Sequence, residues 1–368
     1  MSRDNSDDED GYRPYSKRTD WSDVIPVPQN DPPNPIVSID YRPEYTDVMG
    51  YFRAVLASGE VSQRVLNLTS DAISMNGANY TVWHRRWEVV EKMASEVESS
   101  GSAMDANASD AVDNSLLSNE FAYTANMALE NPKNYQVWNH MRLVSQALGE
   151  KSAERNLAAT AKALDLDSKN IHAWTHRAWC VRAFSLHDKE KKYTSLKIQE
   201  DVRNNSAWNE RFQVVFGEGV AGDGESKSTK QSAEEFFKRV DGEIQFAESK
   251  IKIAPDNESA WNYLRGISRL QFVRGNENIQ TRVEGIVRGF VGVGEGTDDA
   301  RVEQSTGRKT RGSSTAEQQT CRQALSFLFE ILVDSGNADE TEKSSVLKKL
   351  REIDPVRNNY WSWRSGKA

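Results

Sequence analysis

Apolar residues recur at helical spacing along most of this chain. The segments SAERNLAATAKALDLD (152–167) and AEEFFKRVDGEIQFAESKIKI (233–253) place apolar residues every three or four positions and are rich in Ala, Leu, Glu and Lys. This spacing lines one face of an α-helix, and these residue types favour helices. Alternation of apolar and polar residues, which is typical of strands, is scarce. The pattern therefore predicts an all-α protein.

Polar segments interrupt the helical pattern. Residues 1–35 are acidic and then rich in proline, which predicts a disordered arm. Gly, Ser, Asp and Thr dominate residues 99–115, 217–232 and 292–319, so these segments have little to bury and are expected to be flexible surface insertions. The remainder, residues 36–368, is predicted to form a single helical-repeat domain.

A short motif with Asn four residues before Trp recurs in the helical part. It occurs as NYTVW, NYQVW, NIHAW, NNSAW and NESAW, which end at Trp83, Trp138, Trp174, Trp208 and Trp261. Subtracting successive positions gives intervals of 55, 36, 34 and 53 residues, and the two long intervals contain the insertions at 99–115 and 217–232. A period of roughly 34–36 residues is the length of one αα-hairpin repeat. The chain is therefore predicted to be a series of such hairpins, with a degenerate sixth copy, NYWSWR, at residues 359–364.

Each motif has the composition of a helix start. Asn is a favoured N-cap, because its side-chain oxygen accepts a hydrogen bond from a backbone N–H two or three residues later. With Asn134 as the cap, Tyr135 is the first helical residue and Trp138 lies one turn into the helix, where its ring is expected to pack against the preceding hairpin. The Trp series is thus predicted to be structural. An Arg follows each Trp by three or four residues, at Arg86, Arg142, Arg177, Arg211 and Arg265.

Capping and anchoring do not require Lys133, Tyr135 or Gln136. The next repeat has Ile171 and His172 at the places of Tyr135 and Gln136, so this position varies between repeats. Helix N-termini carry exposed N–H groups and partial positive charge, which suits an anion. One interpretation is therefore an anion-binding edge to which Lys133 adds a full charge. The alternative is that Lys133 is an ordinary solvated loop lysine.

The charge of the chain limits the ligands that it is expected to bind. It has 368 residues, a formal charge of −8 and a pI near 5.4, so it lacks the basic excess of a general nucleic-acid binder. The N-terminal residues are acidic rather than apolar, which argues against a signal peptide, and no apolar run approaches the length of a transmembrane segment. A cytoplasmic location is the resulting expectation, with no nucleic acid as partner.

No cluster of metal ligands or catalytic groups stands out. The two cysteines, Cys180 and Cys321, are too few for a disulfide framework or a structural zinc site. His172 and His176 have the i, i+4 spacing of a helical metal pair. However, His140 and His176 each follow their Trp by two residues, which favours a packing role for His176. We therefore expect this chain to bind no metal by itself.

The repeats resemble those of protein prenyltransferase α subunits. The similarity is densest at residues 41–87, YRPEYTDVMGYFRAVLASGEVSQRVLNLTSDAISMNGANYTVWHRRW, and it returns in EDVRNNSAWNERF and APDNESAWNYLRGI. These segments are similar to the α subunit shared by protein farnesyltransferase and geranylgeranyltransferase type I. Recognisable similarity extends over residues 40–275 and fades beyond them.

The resemblance implies a fold, partners and cofactors. The α subunit would form a right-handed superhelix of hairpins, a crescent-shaped solenoid, around a β subunit. The β subunit would bind the catalytic zinc, and magnesium would assist farnesyl transfer. The heterodimer would transfer farnesyl or geranylgeranyl from the isoprenoid diphosphate to the Cys of a protein that ends in a CaaX motif.

The resemblance also implies roles for single residues. Lys133 would contact the isoprenoid diphosphate and stabilise the charge that develops on it. Gln136 would bind the terminal carboxylate of the CaaX protein, and Tyr80 would help line the pocket for its last residue. Tyr135 and His172 match further family positions that face the active site.

Two positions depart from the family pattern. Ile171 replaces the usual Tyr and cannot hydrogen-bond, and Met141 replaces the usual Arg, which is expected to change only packing or a surface charge contact. Two other functions stay open. One is the α subunit of the Rab-directed geranylgeranyltransferase, although its additional leucine-rich-repeat region is not recognisable in this sequence, and the other is a helical-repeat scaffold without an enzyme partner. The number of β subunits and the preference between farnesyl and geranylgeranyl do not follow from the sequence.

Overall fold

A computed structural model shows a helical protein. It describes residues 12–30, 33–34, 37, 39–99, 116–217, 230–291, 321–335 and 339–366. Within these ranges every regular element is an α-helix or a short 3₁₀-helix and no strand occurs, which confirms the predicted all-α class. The chain divides into two compact units, Met1–Ser185 and Leu186–Ala368, where the sequence predicts one domain. No helix in the described ranges is both long and apolar enough to cross a membrane.

The first unit consists of helices joined by short turns and one long insertion. Its helices α1 to α7 span Pro43–Ser58, Gln63–Met75, Tyr80–Ser99, Leu116–Glu130, Tyr135–Leu148, Ala153–Leu166 and Ile171–Ala183. Short 3₁₀-helices occupy Tyr15–Lys17, Thr19–Trp21 and Gly149–Ser152. Helix α2 packs against α3, α4 against α5, and α6 against α7. These three hairpins are the first three repeats expected from the Trp motif.

The second unit is built in the same way. Its helices α8 to α16 span His187–Glu200, Asn205–Phe216, Lys230–Ile253, Glu258–Ser268, Gln271–Arg274, Glu277–Val291, Arg322–Asp334, Glu340–Ile353 and Asn358–Arg364, with a 3₁₀-helix at Pro355–Arg357. The pairs α8–α9 and α10–α11 form the fourth and fifth hairpins. Helix α14 packs against both α13 and α15.

The second helix of each of these hairpins begins after the predicted asparagine. Asn134 precedes Tyr135, the first residue of α5, and its side-chain oxygen accepts a hydrogen bond from the Gln136 N–H at 2.9 Å. Helices α3, α7, α9 and α11 have the same cap, formed by Asn79, Asn170, Asn204 and Asn257. The cap satisfies N–H groups that a helix start otherwise leaves without a partner.

The tryptophans of the motif are all buried, with exposed fractions of 0% to 6%. The rings of Trp83, Trp138, Trp208 and Trp261 contact residues that follow their own hairpin. The ring of Trp83 lies 5.0 Å from that of His140, and the ring of Trp208 lies 5.0 Å from that of Tyr263. The expectation that the Trp ring packs against the preceding hairpin is therefore wrong for these contacts, because each ring meets the hairpin that comes next.

The N-terminal segment packs against the first helices. The prediction of a disordered arm over residues 1–35 is therefore wrong for residues 12–30. Tyr15 and Trp21 are only 1% and 2% exposed and contact each other edge-to-face, and the Tyr15 hydroxyl donates to Asp71 at 2.7 Å. Burial of two aromatic rings stabilises a segment whose acidic and proline-rich composition predicts disorder.

Further hydrogen bonds hold this segment on α1 and α2. The guanidinium of Arg64 donates to both carboxylate oxygens of Asp23, at 2.7 and 2.9 Å. The N–H of Val27 donates to the carbonyl of Gly50 at 3.0 Å, and its carbonyl accepts from Arg53 at 2.8 Å. The backbone of the segment is thus bonded to α1 near its middle.

The predicted insertions lie almost entirely outside the described residues, at 100–115, 218–229 and 292–320. Their flexibility stays a prediction.

The predicted sixth copy of the motif at 359–364 is wrong. Asn359 lies inside α16, and Trp363 is 64% exposed, so they act neither as a cap nor as a buried anchor. The N-cap position of α14 is instead Cys321, whose thiol donates to the carbonyl of Pro255 at 3.2 Å. Cysteine thus stands where the earlier repeats have asparagine, and a search for the Asn–Trp motif does not detect it.

Candidate functional site

A backbone carbonyl links the turn of one repeat to the next repeat. The carbonyl of Gly77, in the turn before α3, accepts the indole N–H of Trp83 at 2.8 Å and the side-chain amide of Asn134 at 2.6 Å. Asn134 thus caps its own helix with its oxygen and reaches the preceding turn with its nitrogen. Both lone pairs of the carbonyl are used, which sets the spacing of the two turns.

The same arrangement recurs in other repeats. It is found at the carbonyls of Pro132, with Trp138 and Asn170, and of Val202, with Trp208 and Asn257. The carbonyl of Pro255 accepts the indole N–H of Trp261 at 2.7 Å and the thiol of Cys321 at 3.2 Å. Cys321 therefore replaces Asn as the donor to the preceding turn.

In the first unit, this hydrogen bonding aligns three turns. We refer to the turns 76–79, 131–134 and 167–170, together with the residue on either side of each, as the turn edge. Helices α3, α5 and α7 all begin at the turn edge, so it carries the partial positive charge of their N-termini. The residues predicted to bind substrate all lie within two positions of these turns, namely Tyr80, Lys133, Tyr135, Gln136 and His172.

The structure brings Tyr135 and His172 into contact. Their ring centroids lie 4.3 Å apart and their planes are inclined at 86°, which is an edge-to-face arrangement. Tyr135 is exposed at the start of α5, and His172 is partly buried in the first turn of α7. The tyrosine ring therefore has a defined neighbour on the adjacent repeat although most of its surface faces solvent.

The other predicted site residues are accessible at the same edge. Lys133 is exposed, and its ammonium forms no ion pair with the residues that the structure describes. Gln136 is partly buried, and its carboxamide forms no hydrogen bond with the described residues. Tyr80 is exposed one repeat earlier, and within the described part of the chain no ring contact joins it to Tyr135 or His172.

Arg86, the arginine of the first repeat, forms a buried ion pair with Glu120. Its guanidinium donates to both carboxylate oxygens, at 2.6 and 2.7 Å. His140 Nε2 lies 2.6 Å from the same carboxylate and must carry a proton, because an ionised carboxylate only accepts. Burial raises the pKa of Glu120, but the hydrogen bond from His140 and the charge of Arg86 outweigh it and lower that pKa to about 2.

A second buried ion pair joins the fourth and fifth repeats. Arg211 donates to Glu243 at 2.7 and 3.0 Å, and the hydroxyl of Tyr263 donates to the same carboxylate at 2.8 Å. Burial and the neighbouring carboxylate raise the pKa of Tyr263 well above its ordinary value. In both clusters the Arg comes from one repeat, and the acid and the His or Tyr come from the next.

The corresponding place between the second and third repeats has no ion pair. Met141 occupies the Arg position and Asn156 the acid position, and both are fully buried. Asn156 accepts the Nε2–H of His176 at 2.8 Å, and burial and the nearby charge of Arg142 lower the pKa of His176 to about 4. Met141 was expected to change packing or a surface charge contact, and the surface contact is wrong because the side chain is fully buried. At this place two neutral side chains occupy the positions that a buried Arg and Glu occupy in the other two clusters.

The acid positions are buried polar positions that the Trp motif by itself does not reveal. The first helices of the second to fifth repeats have a polar residue at the same distance before the Trp of the repeat, at Glu120, Asn156, Glu190 and Glu243, whereas the first repeat has Val65 there. A polar residue that recurs with the repeat period inside an apolar helix indicates a buried hydrogen-bonding partner. This period is the sequence signal that identifies them.

The two histidines at metal-pair spacing have different surroundings. His172 contacts Tyr135, whereas His176 hydrogen-bonds to Asn156, so the two rings do not converge on one ion. In the described ranges, no group of three or more His, Cys, Asp or Glu side chains is placed to hold a metal ion.

The hairpins match a known repeat family. The family described as "Protein prenyltransferase alpha subunit repeat" matches this chain at residues 62–93, 117–148, 153–184, 187–217 and 240–270. These five matches coincide with the hairpins from α2–α3 to α10–α11.

Known proteins are similar to this chain along most of its length. "Protein farnesyltransferase/geranylgeranyltransferase type-1 subunit alpha" of Pisum sativum is 32% identical over 98% of this chain and 96% of its own. The protein of the same description from Dictyostelium discoideum is 31% identical over 98% of this chain and 95% of its own. Among solved structures, Candida albicans protein geranylgeranyltransferase-I complexed with GGPP is similar with a TM-score of 0.71 and 27% identity, over 95% of this chain and 99% of that chain.

Proposed function

Because the chain belongs to the protein prenyltransferase α-subunit family, we propose that it forms a heterodimer that transfers farnesyl or geranylgeranyl from an isoprenoid diphosphate to the Cys of a CaaX protein. It is a subunit of a prenyl-transferring enzyme, and its relatives are described as type-1 subunits. One observation carries the proposal for this chain: Lys133, Tyr135 and Gln136 stand together, accessible, at a helix N-terminus of the turn edge.

In this proposal, Lys133 binds the isoprenoid diphosphate. Its ammonium is exposed, has no ion pair in the described part of the chain, and lies one residue before the cap of α5. The N–H groups at that helix start add partial positive charge. Because the diphosphate gains negative charge as it departs, a cation there stabilises the transition state more than the ground state.

Gln136 and the aromatic residues bind the protein substrate. The carboxamide of Gln136 is free of other hydrogen bonds among the described residues, so its N–H groups are available to the terminal carboxylate of the CaaX protein. Tyr80 helps to line the pocket for the last CaaX residue. The contact with His172 orients Tyr135 toward the same edge.

We assign the metals to the partner and the substrate. The imidazoles of His140 and His176 are buried in hydrogen bonds, and Cys180 and Cys321 are buried, so these side chains do not fit a zinc site. Zinc held by the β subunit would lower the pKa of the CaaX thiol, and magnesium would assist farnesyl transfer. This chain then supplies no base. A cytoplasmic location, where CaaX proteins are synthesised, completes the proposal.

Co-expression with a type-I prenyltransferase β subunit tests the proposal. The purified complex is assayed with labelled farnesyl and geranylgeranyl diphosphate on peptides that end in CaaX, and zinc is measured in the complex and in the chain alone. We expect prenyl transfer and zinc only in the complex. Stoichiometric zinc in the isolated chain would contradict the assignment of the metal.

Repeating this assay with the β subunit of a Rab-directed geranylgeranyltransferase separates the two alternatives. A Rab protein without a CaaX ending is included as a second acceptor. Transfer to Rab but not to CaaX peptides would show the Rab-directed enzyme. Failure to bind any prenyltransferase β subunit would instead support a scaffold.

A further inference from the structure

Helix α16 carries large apolar side chains on two faces. Trp361 packs into the second unit: it is 1% exposed, and its ring meets that of Phe329 edge-to-face with centroids 6.1 Å apart. Val356, Tyr360 and Trp363 have the spacing i, i+4, i+7, which places them on another face of α16 and of the 3₁₀-helix before it. These three side chains, which we call the apolar stripe, are 94%, 41% and 64% exposed. The rings of Tyr360 and Trp363 lie 5.9 Å apart.

Packing of the second unit does not account for the apolar stripe. A surface helix normally turns its apolar residues to the core and its polar residues to solvent. Trp361 already supplies the buried contact of α16, whereas the stripe is exposed. Single exposed apolar residues are common on protein surfaces, but several that adjoin each other mark an interaction surface. The stripe therefore indicates a partner.

Cations adjoin the apolar stripe. Lys348 and Lys349 are exposed on α15 and form no ion pair with the residues that the structure describes. The guanidinium of Arg351 donates to the hydroxyl of Ser362 at 2.7 Å, which brings the C-terminal end of α15 next to α16. Glu352 is the one acidic residue among the last ten residues of α15, so this end of the helix is basic.

The other charges beside the apolar stripe offset each other. Arg357 forms an ion pair with Asp354 at 2.9 Å, and Arg364 forms one with Asp334 at 2.7 Å. The lysines of α15 and Arg351 thus leave a local surplus of positive charge. Because the whole chain has a formal charge of −8, this surplus sets the stripe apart from the protein's average surface.

The size and composition of the apolar stripe identify its occupant. Three partly exposed side chains offer a few hundred Å² at most, whereas each partner in a stable protein complex contributes about 800 Å². A lipid bilayer needs no such area, because a few apolar side chains that enter the headgroup region suffice when cations meet the lipid phosphates. Trp and Tyr are enriched at that depth, and Lys and Arg extend their charged ends to the phosphates.

We propose that the apolar stripe is a docking surface for an anionic lipid bilayer, with Tyr360 and Trp363 in the headgroup region and Lys348, Lys349 and Arg351 against the lipid phosphates. The contact involves only α16, the 3₁₀-helix before it and the end of α15. The inference goes beyond the proposed function and does not depend on it, because this chain itself carries the surface. If the chain also acts as proposed above, the contact brings the enzyme to the bilayer into which a prenylated product partitions.

Binding of the full-length chain to lipid vesicles tests the inference. Vesicles of phosphatidylcholine with about one third phosphatidylserine are compared with vesicles of phosphatidylcholine alone by co-sedimentation. The variants are Trp363→Ala and the combination of Lys348→Gln with Lys349→Gln. Phe272→Ala is the matched control, because Phe272 is an aromatic residue of the same unit and is 69% exposed. Melting of each variant checks that the fold is kept.

We expect the unaltered chain to bind the vesicles with phosphatidylserine more tightly, and salt to weaken this binding. Trp363→Ala should lower the partition coefficient about 10-fold, because the indole no longer enters the headgroup region. Each lysine should account for about 5-fold, so the double variant should lose about 25-fold. Phe272→Ala should change the partition coefficient less than about 2-fold, because that ring lies outside the stripe.

Three results would overturn the inference directly. The first is no binding of the unaltered chain to vesicles with phosphatidylserine. The second is a loss of equal size in Trp363→Ala and Phe272→Ala. The third is equal affinity for both kinds of vesicle, since the cations beside the stripe would then have no role.

Two further results would assign the apolar stripe to a protein instead. If the complex with a β subunit did not bind vesicles that the free chain binds, the β subunit would cover the stripe. A self-dimer of the unaltered chain that Trp363→Ala dissociates would mean that a second copy covers it. Either result overturns the inference and leaves the proposed function intact.

Discussion

The side-chain amide of Asn134 donates a hydrogen bond to the carbonyl of Gly77 at 2.6 Å, across 57 residues of sequence. The oxygen of the same side chain caps α5 at 2.9 Å. One asparagine therefore starts a helix and also sets the distance between two repeats. Ser and Asp cap helices as well as Asn does, but only Asn offers both an acceptor and an amide donor. This dual role explains why Asn recurs in the motif.

Asn134→Asp should separate these two roles. Aspartate still caps α5, but it has no amide to donate to Gly77 and brings a carboxylate near its carbonyl. We expect the free energy of unfolding to fall by about 1–3 kcal/mol, measured by urea denaturation. Asn79→Asp is the control, because Asn79 caps α3 and its amide has no hydrogen-bond partner in the described ranges. Equal losses in both variants would show that the bond to Gly77 contributes nothing.

A double-mutant cycle should show that Met141 and Asn156 occupy paired positions, at which an Arg and an acid form an ion pair in other repeats. Met141→Arg alone and Asn156→Glu alone each bury a charge without its partner, which should cost about 3–5 kcal/mol of unfolding free energy. The double variant should be more stable than the sum of the single effects predicts, by about 1–3 kcal/mol. Chemical denaturation of the four proteins measures this coupling. Strictly additive losses would show that the two positions do not pair.

The buried imidazole of His176 should make stability depend on pH. Burial, with the charge of Arg142, lowers its pKa to about 4 from the ordinary value of 6.5, so between these values the unfolded state binds a proton that the native state does not. Stability should therefore fall as the pH is lowered through this window, by about 3 kcal/mol in all. His176→Gln keeps an N–H donor for Asn156 and does not titrate, so it should flatten the unfolding free energy between pH 6.5 and 4. If the unfolding free energy of His176→Gln depended on pH as strongly as that of the unaltered chain, His176 would not be the source of the pH dependence.

Trp21→Ala should destabilise the first unit. The indole is 2% exposed and packs against Tyr15, and removing a buried Trp typically costs about 3–5 kcal/mol. Trp363→Ala is the matched control, because that Trp is 64% exposed and should change stability by less than about 0.5 kcal/mol. Thermal melting and limited proteolysis measure both variants. If Trp21→Ala melted like the unaltered chain, the N-terminal segment would contribute nothing to stability.

Lys133→Ala should slow prenyl transfer without affecting the fold. Loss of a cation that contacts the departing diphosphate should lower the single-turnover rate by about one to two orders of magnitude, or about 1.5–3 kcal/mol. Part of the effect would appear as weaker binding of the isoprenoid diphosphate if the contact exists in the ground state. Lys169 is the control, since it is also exposed and precedes the cap of the next repeat. Equal and small effects of Lys133→Ala and Lys169→Ala would make Lys133 an ordinary loop lysine.

Local patterns in the sequence were sufficient to predict the helices, the residues at which they start and the repeat period. Capping and helix amphipathicity act within a few residues, so Asn134 or Trp138 can be interpreted without the rest of the fold. The same local motifs carried the family resemblance, and with it the choice of Lys133 and Gln136 as site residues. Their chemical roles stay predictions, because they depend on a partner and on substrates.

The tertiary structure decided which residues meet across repeats. The Arg86–Glu120 pair spans 34 residues and the Asn134–Gly77 bond spans 57, and no local rule selects such partners. For the same reason, only the fold revealed that Cys321 replaces Asn and that Leu166 lies at the edge that carries Lys133. The burial of Tyr15 and Trp21 is a further case: composition alone predicts disorder for that segment, and the free energy that orders it comes from contacts with helices that follow much later in the chain.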